Sequence, residues 1–432
     1  MWSTNHHTKL YILVFCVWVI VLAGIFYLIA KPVRDASRDF LSYYIAASAI
    51  HQGKPLYTLE TYESVAGQLD IKTAGLYLYP PTFAVLIQPA LLLSPHGASL
   101  LWFGVNVLLL LIGVALLLRQ NNLRNRQIKF VLLLLPVLFT PVLMNFYLGQ
   151  VNIILFILIV LVWLTFVRGR RYTSGVLLAL SVWIKIWPII LIAYFAWKRE
   201  WKVVTGALVG LLLIGVLTLA LAGVGQTTSF FTDRFPELVQ GTEPGRDHLN
   251  QSIPGVFAKL FAPSSKYVYP LIWNPTLAQQ GSRIVTLLLI VASVILCSRP
   301  IALKDGEQFS TELMLVVIAT MLITGRLFES NLALLLLAYF FIAEQLQREH
   351  IKTWRQIALP IVSIILIDIH RVIWTLANPD KQALPWFLLI FPFIGLMLLW
   401  LNFALRRIRE VKTLRIGDLG ETAELTQSTG AP

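Results

Sequence analysis

From residue 10 to residue 405 the chain is a series of apolar runs about as long as a bilayer is thick, with basic residues gathered in the short stretches between them. That pattern leaves few folds open. Of 432 residues 57% are hydrophobic and 13% charged, which is more apolar surface than one water-soluble core can bury, so lipid must serve as solvent. A helix satisfies its own backbone in lipid, and the reading is therefore an all-α polytopic membrane protein. The formal net charge of +13 does not imply a nucleic-acid partner, because Lys and Arg are confined to loops as the positive-inside rule requires. Cys16 and Cys297 fall within apolar runs and read as buried small hydrophobes, with neither a disulfide nor a metal site implied. Apart from a loop near residues 223–282, no polar block is large enough to fold alone. A single membrane domain is expected over residues 1–415, followed by a polar, disordered cytoplasmic tail at 416–432.

Charge sets the threading. The first run, residues 10–30, lacks a small-residue cleavage site before its polar flank and reads as an uncleaved first helix. Six basic clusters are expected in the cytoplasm with both termini: Arg119/Arg124/Arg126/Lys129, Arg168/Arg170/Arg171, Lys198/Arg199/Lys202, Arg299/Lys304, Arg348/Lys352/Arg355 and Arg406/Arg407/Arg409/Lys412. Spans then fall at 97–118, 128–146, 151–167, 203–222, 283–299, 310–325, 331–347, 355–377 and 384–405. Two segments fit no simple span. Residues 80–93 are short and bracketed by Pro80-Pro81 and Ser94-Pro95-His96-Gly97, and read as a helix at the outer interface. Residues 173–197 carry basic clusters at both ends with Lys185 and Pro188 between, and a hairpin entering and leaving on the cytoplasmic side satisfies those charges. The expected architecture is a bundle of about 10–12 transmembrane helices. Its outer polar stretches are a first loop at 31–96 with interfacial helices, 147–152, a large loop at 223–282, and 324–331.

Several polar residues stand out against this background. Asp39 opens a short helix that should stop at Gly53; it reads either as an N-cap or as a carboxylate fixed at the membrane surface and able to act as a general base. Gln150 and Asn152 sit in the turn between two spans, where amides need several hydrogen-bond partners near lipid. Lys185, within Trp183-Ile184-Lys185-Ile186-Trp187-Pro188, either snorkels to the surface or meets an anion, and a lipid phosphate is the anion a membrane most readily supplies. The large loop carries Arg246-Asp247-His248-Leu249-Asn250-Gln251-Ser252, which also reads as a capped turn. Arg326 and Glu329 flank the last outer turn and could pair with each other. Asp368, His370 and Arg371 lie inside a span, where three ionisable groups are expected to face an aqueous cavity that opens outward. No zinc spacing, Walker loop, dinucleotide turn or Ser/His/Asp signature occurs at a usable location.

In chain order, Asp39 followed by Tyr43-Tyr44-Ile45-Ala46-Ala47, Gly53 to Tyr57, Tyr79-Pro80-Pro81, Gly149-Gln150-Val151-Asn152, Lys185 to Pro188 and Asn250-Gln251-Ser252 resemble glycosyltransferase family 87. These are polyprenol-phosphate-mannose-dependent mannosyltransferases of the GT-C superfamily. The resemblance covers most of the chain from about residue 10 to residue 345. It implies a GT-C-like membrane fold on a bacterial-type inner membrane, with an outward-facing site and a catalytic Asp in the first outer loop. The donor would be a polyprenyl-phosphate sugar and the acceptor a glycan or glycolipid, with no nucleotide-sugar, cofactor or obligatory metal. Carried over, Asp39 would deprotonate the acceptor hydroxyl in a single inverting displacement. Lys185 and Arg326 would stabilise the departing phosphate. Tyr43, Tyr57, Tyr79, Gln150, Asn152, Asn250 and Gln251 would be sugar contacts, with Glu329, His370 and Arg371 as further cavity residues. One departure is visible: where family members show Ser-Pro, an aromatic and then His, this chain has Thr324-Gly325-Arg326-Leu327-Phe328-Glu329-Ser330-Asn331. The alternatives from other classes are a transporter or flippase for a lipid-linked saccharide, and an oligosaccharide polymerase or ligase.

Overall fold

A computed structural model describes residues 3–30, 37–72, 74–120, 123, 125–240, 247–298, 306–348, 355–377 and 383–428. The expected cytoplasmic residues Arg124, Arg299, Lys304 and Lys352 lie outside the described residues, as does the start of the first outer loop. The chain is all-α. Its helices are α1 (Ser3–Ala30), α2 (Arg38–His51), α3 (Leu59–Gln68), α4 (Pro81–Ile87), α5 (Pro95–Gln120), α6 (Arg126–Leu138), α7 (Thr140–Leu148), α8 (Asn152–Val167), α9 (Arg171–Ile184) and α10 (Ile189–Trp197). They continue as α11 (Trp201–Ala222), α12 (Val224–Ser229), α13 (Phe235–Gln240), α14 (Ile253–Phe261), α15 (Pro275–Leu296), α16 (Gly306–Ile323), α17 (Leu336–Arg348), α18 (Arg355–Ala377) and α19 (Phe391–Ser428). Two-residue strands β1 (Val268–Tyr269) and β2 (Leu384–Pro385) pair in parallel and tie the large loop to the entry of α19.

Among the described residues, eight helical segments are long and apolar enough to cross a membrane. Two expected spans fall outside that count: α8 is short, and α18 carries Asp368, His370 and Arg371 in its second half. The chain is an integral membrane protein by this measure. Polar contacts between helix ends show that the basic clusters share one end of the bundle. Arg168 Nη2 donates to Gln120 Oε1 at 3.0 Å, the Asn125 N–H donates to Gln347 Oε1 at 2.9 Å, and Arg348 and Arg406 both reach Glu307.

The segment at 173–197 is a hairpin. α9 leaves the basic end beside α8, the chain breaks at Lys185, and α10 returns. The direction follows from its neighbours: Trp187 shares a cavity with Thr320 and Met321, whereas Tyr194 donates to Glu312 at 2.7 Å, nearer the start of α16. α11 then runs parallel to α9 in very close contact. A Cβ on Gly175 would come within 2.1 Å of Val203 O, and one on Gly206 within 2.3 Å of Tyr172 O. The foot of the hairpin is locked by charge, with Lys198 Nζ 2.8 Å from Glu312 and Glu312 also paired to Arg407 of α19. All three side chains are almost completely buried.

Three local features refine the expected layout. The span at 128–146 is two helices, because the backbone is extended at Phe139 between Pro136 and Pro141; Asp368 of α18 accepts from both the Thr140 N–H (2.9 Å) and its hydroxyl (2.7 Å), capping α7 from another helix. The large loop is mostly helical, and the helix after it begins at Pro275 rather than 283, capped by Asn274, whose Oδ1 accepts from the Leu277 N–H. α19 runs from Phe391 to Ser428.

Candidate active site

The site is built on the turn joining α7 to α8. α7 ends at Leu148, and Gly149 takes a left-handed conformation (φ 71°) that lets the Gln150 N–H turn back to Asn145 O at 2.9 Å. A Cβ at 149 would lie 2.6 Å from Phe40 Cβ, so both torsion and space require glycine. The Gly149 carbonyl accepts from Trp102 Nε1 at 2.8 Å, Phe40 stacks on Trp102 with ring centroids 5.3 Å apart, and the Ser37 N–H donates to Tyr147 O at 2.8 Å. Together these contacts seat the start of α2 on the turn.

The two amides of the turn then hold two opposite charges. Gln150 Nε2 donates a short hydrogen bond to Asp39 Oδ2, while Gln150 Oε1 accepts from the Tyr79 hydroxyl at 3.1 Å and the Tyr43 hydroxyl at 3.4 Å. Asn152 Oδ1 accepts from Lys185 Nζ at 3.1 Å, and Asn331 Oδ1 accepts a second Lys185 bond at 3.1 Å. Asn152 Nδ2 donates to Ser330 O at 3.1 Å, joining the turn to the segment that carries Asn331. Burial raises the Tyr43 and Tyr79 hydroxyls well above the usual phenol range, so both stay protonated as donors.

Asp39 is not the N-cap of α2. Ser37 occupies that position in a left-handed conformation without a side-chain cap bond, and Asp39 is the second helical residue, its carboxylate turned to Gln150 and lying 3.6 Å from Arg38 Nε. It remains in the first turn, where the helix dipole favours a negative charge. Lys185 is the C-cap residue of α9, in the break of the hairpin rather than in a spanning helix. Burial lowers its pKa to about 8, against the pull of the Asp39 carboxylate, which favours the charged form.

A cavity of about 430 Å³, counted to its open mouth, lies beside Lys185. Its polar lining is Asn152, Lys185, Thr320, Thr324, Arg326 and Asn331, and its apolar lining includes Leu155, Trp187 and Met321. Asp39, Tyr43, Tyr79, Gln150, Asn152, Lys185 and Arg326 are thus gathered at one place.

The other expected site residues go elsewhere. Tyr57 donates to Tyr79 O at 2.8 Å and so holds the backbone behind Tyr79. Asn250 and Gln251 are buried braces: Asn250 Nδ2 donates to Gly325 O at 2.7 Å, its Oδ1 accepts from the Leu327 N–H at 2.9 Å, and Gln251 Nε2 donates to Leu389 O at 3.1 Å. They shape the turn that presents Arg326. Glu329 pairs with Arg371 at 3.8 Å, the ionic partner being on α18 rather than within the turn. His370 is buried with no hydrogen-bond partner at Nδ1, while Asp368 accepts from Thr140 and Arg371 meets Glu329. Asn331 and Trp187 are site residues that sequence reasoning did not single out. An amide one residue before an apolar run was the available signal for Asn331.

The family model for glycosyltransferase family 87 matches residues 77–325. The match takes in Tyr79, Gln150, Asn152, Lys185, Asn250 and Gln251; Asp39 precedes it, and it ends one residue before Arg326. The chain is 26% identical over 244 residues to a polyprenol-phosphate-mannose-dependent alpha-(1-2)-phosphatidylinositol mannoside mannosyltransferase of Mycobacterium tuberculosis, covering 51% of this chain and 53% of that protein. It is 23% identical over 239 residues to the protein of the same description from Mycolicibacterium smegmatis, covering 51% and 52%. The chain thus spans about half the length of each relative it matches. With more than half of its residues inside the family model, the chain belongs to glycosyltransferase family 87.

Proposed function

We propose that this protein is a membrane glycosyltransferase that moves a mannose-like hexose from a polyprenyl-phosphate sugar to a glycan or glycolipid hydroxyl outside the cytoplasm. The observation that carries this reading is the turn at 149–152, which holds a carboxylate through Gln150 and an ammonium through Asn152, two residues apart. One charge suits the nucleophile and the other the leaving group. Asp39 takes the proton of the acceptor hydroxyl as its oxygen attacks the anomeric carbon. The bond from that carbon to the phosphate oxygen breaks in the same step, with inversion, and polyprenyl phosphate leaves carrying the electron pair. Lys185 and Arg326, both lining the cavity, meet the phosphate charge as it grows. In this scheme they take the part that a metal ion plays in other transferases, so no metal or cofactor is required. Tyr43 and Tyr79 act through Gln150, which they orient towards Asp39.

The end of the bundle opposite the basic clusters carries the site, and the positive-inside rule assigns that end to the outside, with both termini in the cytoplasm. The Arg371–Glu329 pair and the Asn250 brace support the turn from which Arg326 projects. The test is transfer from polyprenyl-phosphate sugars by the full chain in liposomes, with glycolipid acceptors. Product with the lipid-phosphate donor is expected. Transfer from a nucleotide-sugar alone would reject the donor class, and movement of an intact lipid-linked saccharide without bond exchange would favour a flippase.

A further inference from the structure

The second half of the large loop exposes more apolar surface than a loop in water should carry. Residues 262–274, between α14 and α15, hold one cation, Lys266, and no acid. Within them Tyr269, Leu271, Ile272 and Trp273 are 61%, 59%, 57% and 65% exposed. The backbone beneath these side chains is fastened. β1 pairs with β2, which puts Val268 and Leu384 into a small buried cluster and turns Tyr269 outward. The Leu271 and Ile272 N–H groups donate to Leu260 O at 2.9 and 3.3 Å, and the Asn274 N–H donates to Phe261 O at 2.7 Å. Those bonds also satisfy carbonyls at the end of α14. A fixed apolar patch of this kind marks a surface that something covers.

Its height in the fold identifies the cover. α15 has 22 residues, about 33 Å of helix, against a hydrocarbon core of about 30 Å. Its last turn lies at the basic end of the bundle, where Leu296 O accepts from Arg407 Nε at 3.4 Å. The first turn, at Pro275, therefore reaches the opposite edge of the hydrocarbon, and residues 269–273 fall in the headgroup layer. Trp and Tyr favour that layer. Arg283, the one charge on α15, is long enough to reach back towards it. The patch also continues into the exposed apolar side of α15 at Leu277, Ile284, Leu287, Leu288 and Val291.

We propose that residues 269–273 dock into the leaflet on the site's side of the membrane, among phospholipid headgroups and upper acyl chains, and so set the depth of the large loop. That depth reaches the candidate site through α14. Its end is bonded to the patch, and its start follows Asn250, which braces the turn bearing Arg326. The role of the depth rests on the glycosyl-transfer reading, because Arg326 must meet a phosphate that a lipid holds at a fixed level; the docking is tested without donor. The full chain carrying Cys16→Ala is placed in liposomes of phosphatidylethanolamine and phosphatidylglycerol, with a nitroxide attached through Leu271→Cys or Trp273→Cys, while the buried Cys297 is kept. Power-saturation EPR compares collisions with oxygen, which concentrates in the bilayer, and with a nickel chelate, which stays in water. The references are Lys72→Cys, 83% exposed in the first outer loop, and Leu288→Cys on the lipid-facing side of α15. Both patch labels should give an oxygen-to-nickel ratio several-fold above the Lys72 label and below the Leu288 label. A ratio equal to that of the Lys72 label overturns the docking in favour of water, and few collisions with either reagent overturn it in favour of a covering protein such as a second copy. Ile272→Glu combined with Trp273→Glu should raise KM for a long-chain polyprenyl-phosphate donor several-fold in liposomes and leave KM for a short-chain donor in detergent unchanged. An unchanged KM in liposomes overturns the link to Arg326. Absence of transfer by the unaltered protein, by contrast, tells against the reaction and leaves the docking result standing.

Discussion

Replacing Asn152 by alanine removes one of the two side-chain acceptors that hold the Lys185 ammonium, and the pH profile of turnover should record the loss. Asn331 retains its bond at 3.1 Å, so Lys185 stays in place but is less well stabilised as a cation. A hydrogen bond to a charged group contributes about 1.5–3 kcal/mol, and because Lys185 borders an open cavity where water replaces part of it, the lower figure applies. One pKa unit corresponds to about 1.4 kcal/mol, so the Lys185 pKa should fall by about one unit from its value of about 8. The ammonium is the form that stabilises the departing phosphate. Activity is therefore full below this pKa and declines as pH rises through it, and the alkaline limb of kcat/KM should move from about 8 to roughly 7. Asn152→Asp places a carboxylate at the same spot and should move the limb upward instead. The assay is kcat/KM for sugar transfer in liposomes across neutral and alkaline pH for the three proteins. A limb that stays put in Asn152→Ala, or that shifts the same way in both variants, would refute the coupling between the turn and the ammonium.

Other perturbations probe the parts that hold this arrangement. Gly149→Ala should destabilise the protein by at least about 1–2 kcal/mol from its left-handed torsion, with the clash against Phe40 adding to it; a thermal-unfolding midpoint equal to that of the unaltered protein would contradict the packing of α2 on the turn. Glu312→Gln leaves Lys198 and Arg407 buried without their shared carboxylate and should cost about 3–5 kcal/mol, read as a lowered denaturation midpoint. Asn250→Ala strips the Leu327 N–H of its buried acceptor, so the turn bearing Arg326 loosens: KM for the lipid donor should rise several-fold with a smaller change in kcat, and a kcat-only defect would point to a different role.

Positions of spans were legible because hydropathy and basic loops act locally, residue by residue, and the hairpin at 173–197 was legible for the same reason: basic clusters at both ends and Lys185 between them leave a single crossing unfavourable. The break at Phe139 was signalled by Pro136 and Pro141, yet what makes it tolerable is Asp368, 228 residues from Thr140 in sequence, and no local pattern announces that partner. Asn250 illustrates the same limit. Its amide looks equally suited to a sugar or to a backbone, and only the approach of the 325–327 turn decides the matter. Asp39 shows how a residue's local role escapes the sequence: a short polar residue opening a helix suggests a cap, but Ser37 in a left-handed conformation takes that place and frees the carboxylate to face Gln150. Glu329, His370 and Arg371 were conspicuous because ionisable groups near lipid are unusual, and conspicuousness did not distinguish structural pairing from a place in the cavity.

The claim on which the account turns is that Asp39 is the base. Single-turnover transfer from a polyprenyl-phosphate sugar by Asp39→Asn, alongside donor binding by the same protein, tests it most directly. The amide keeps a partner for Gln150 but cannot take a proton, so the rate of the chemical step should fall by about 10²–10⁴ while donor affinity stays within a few-fold. Transfer at an undiminished rate in Asp39→Asn would remove Asp39 from the mechanism and the proposed displacement with it.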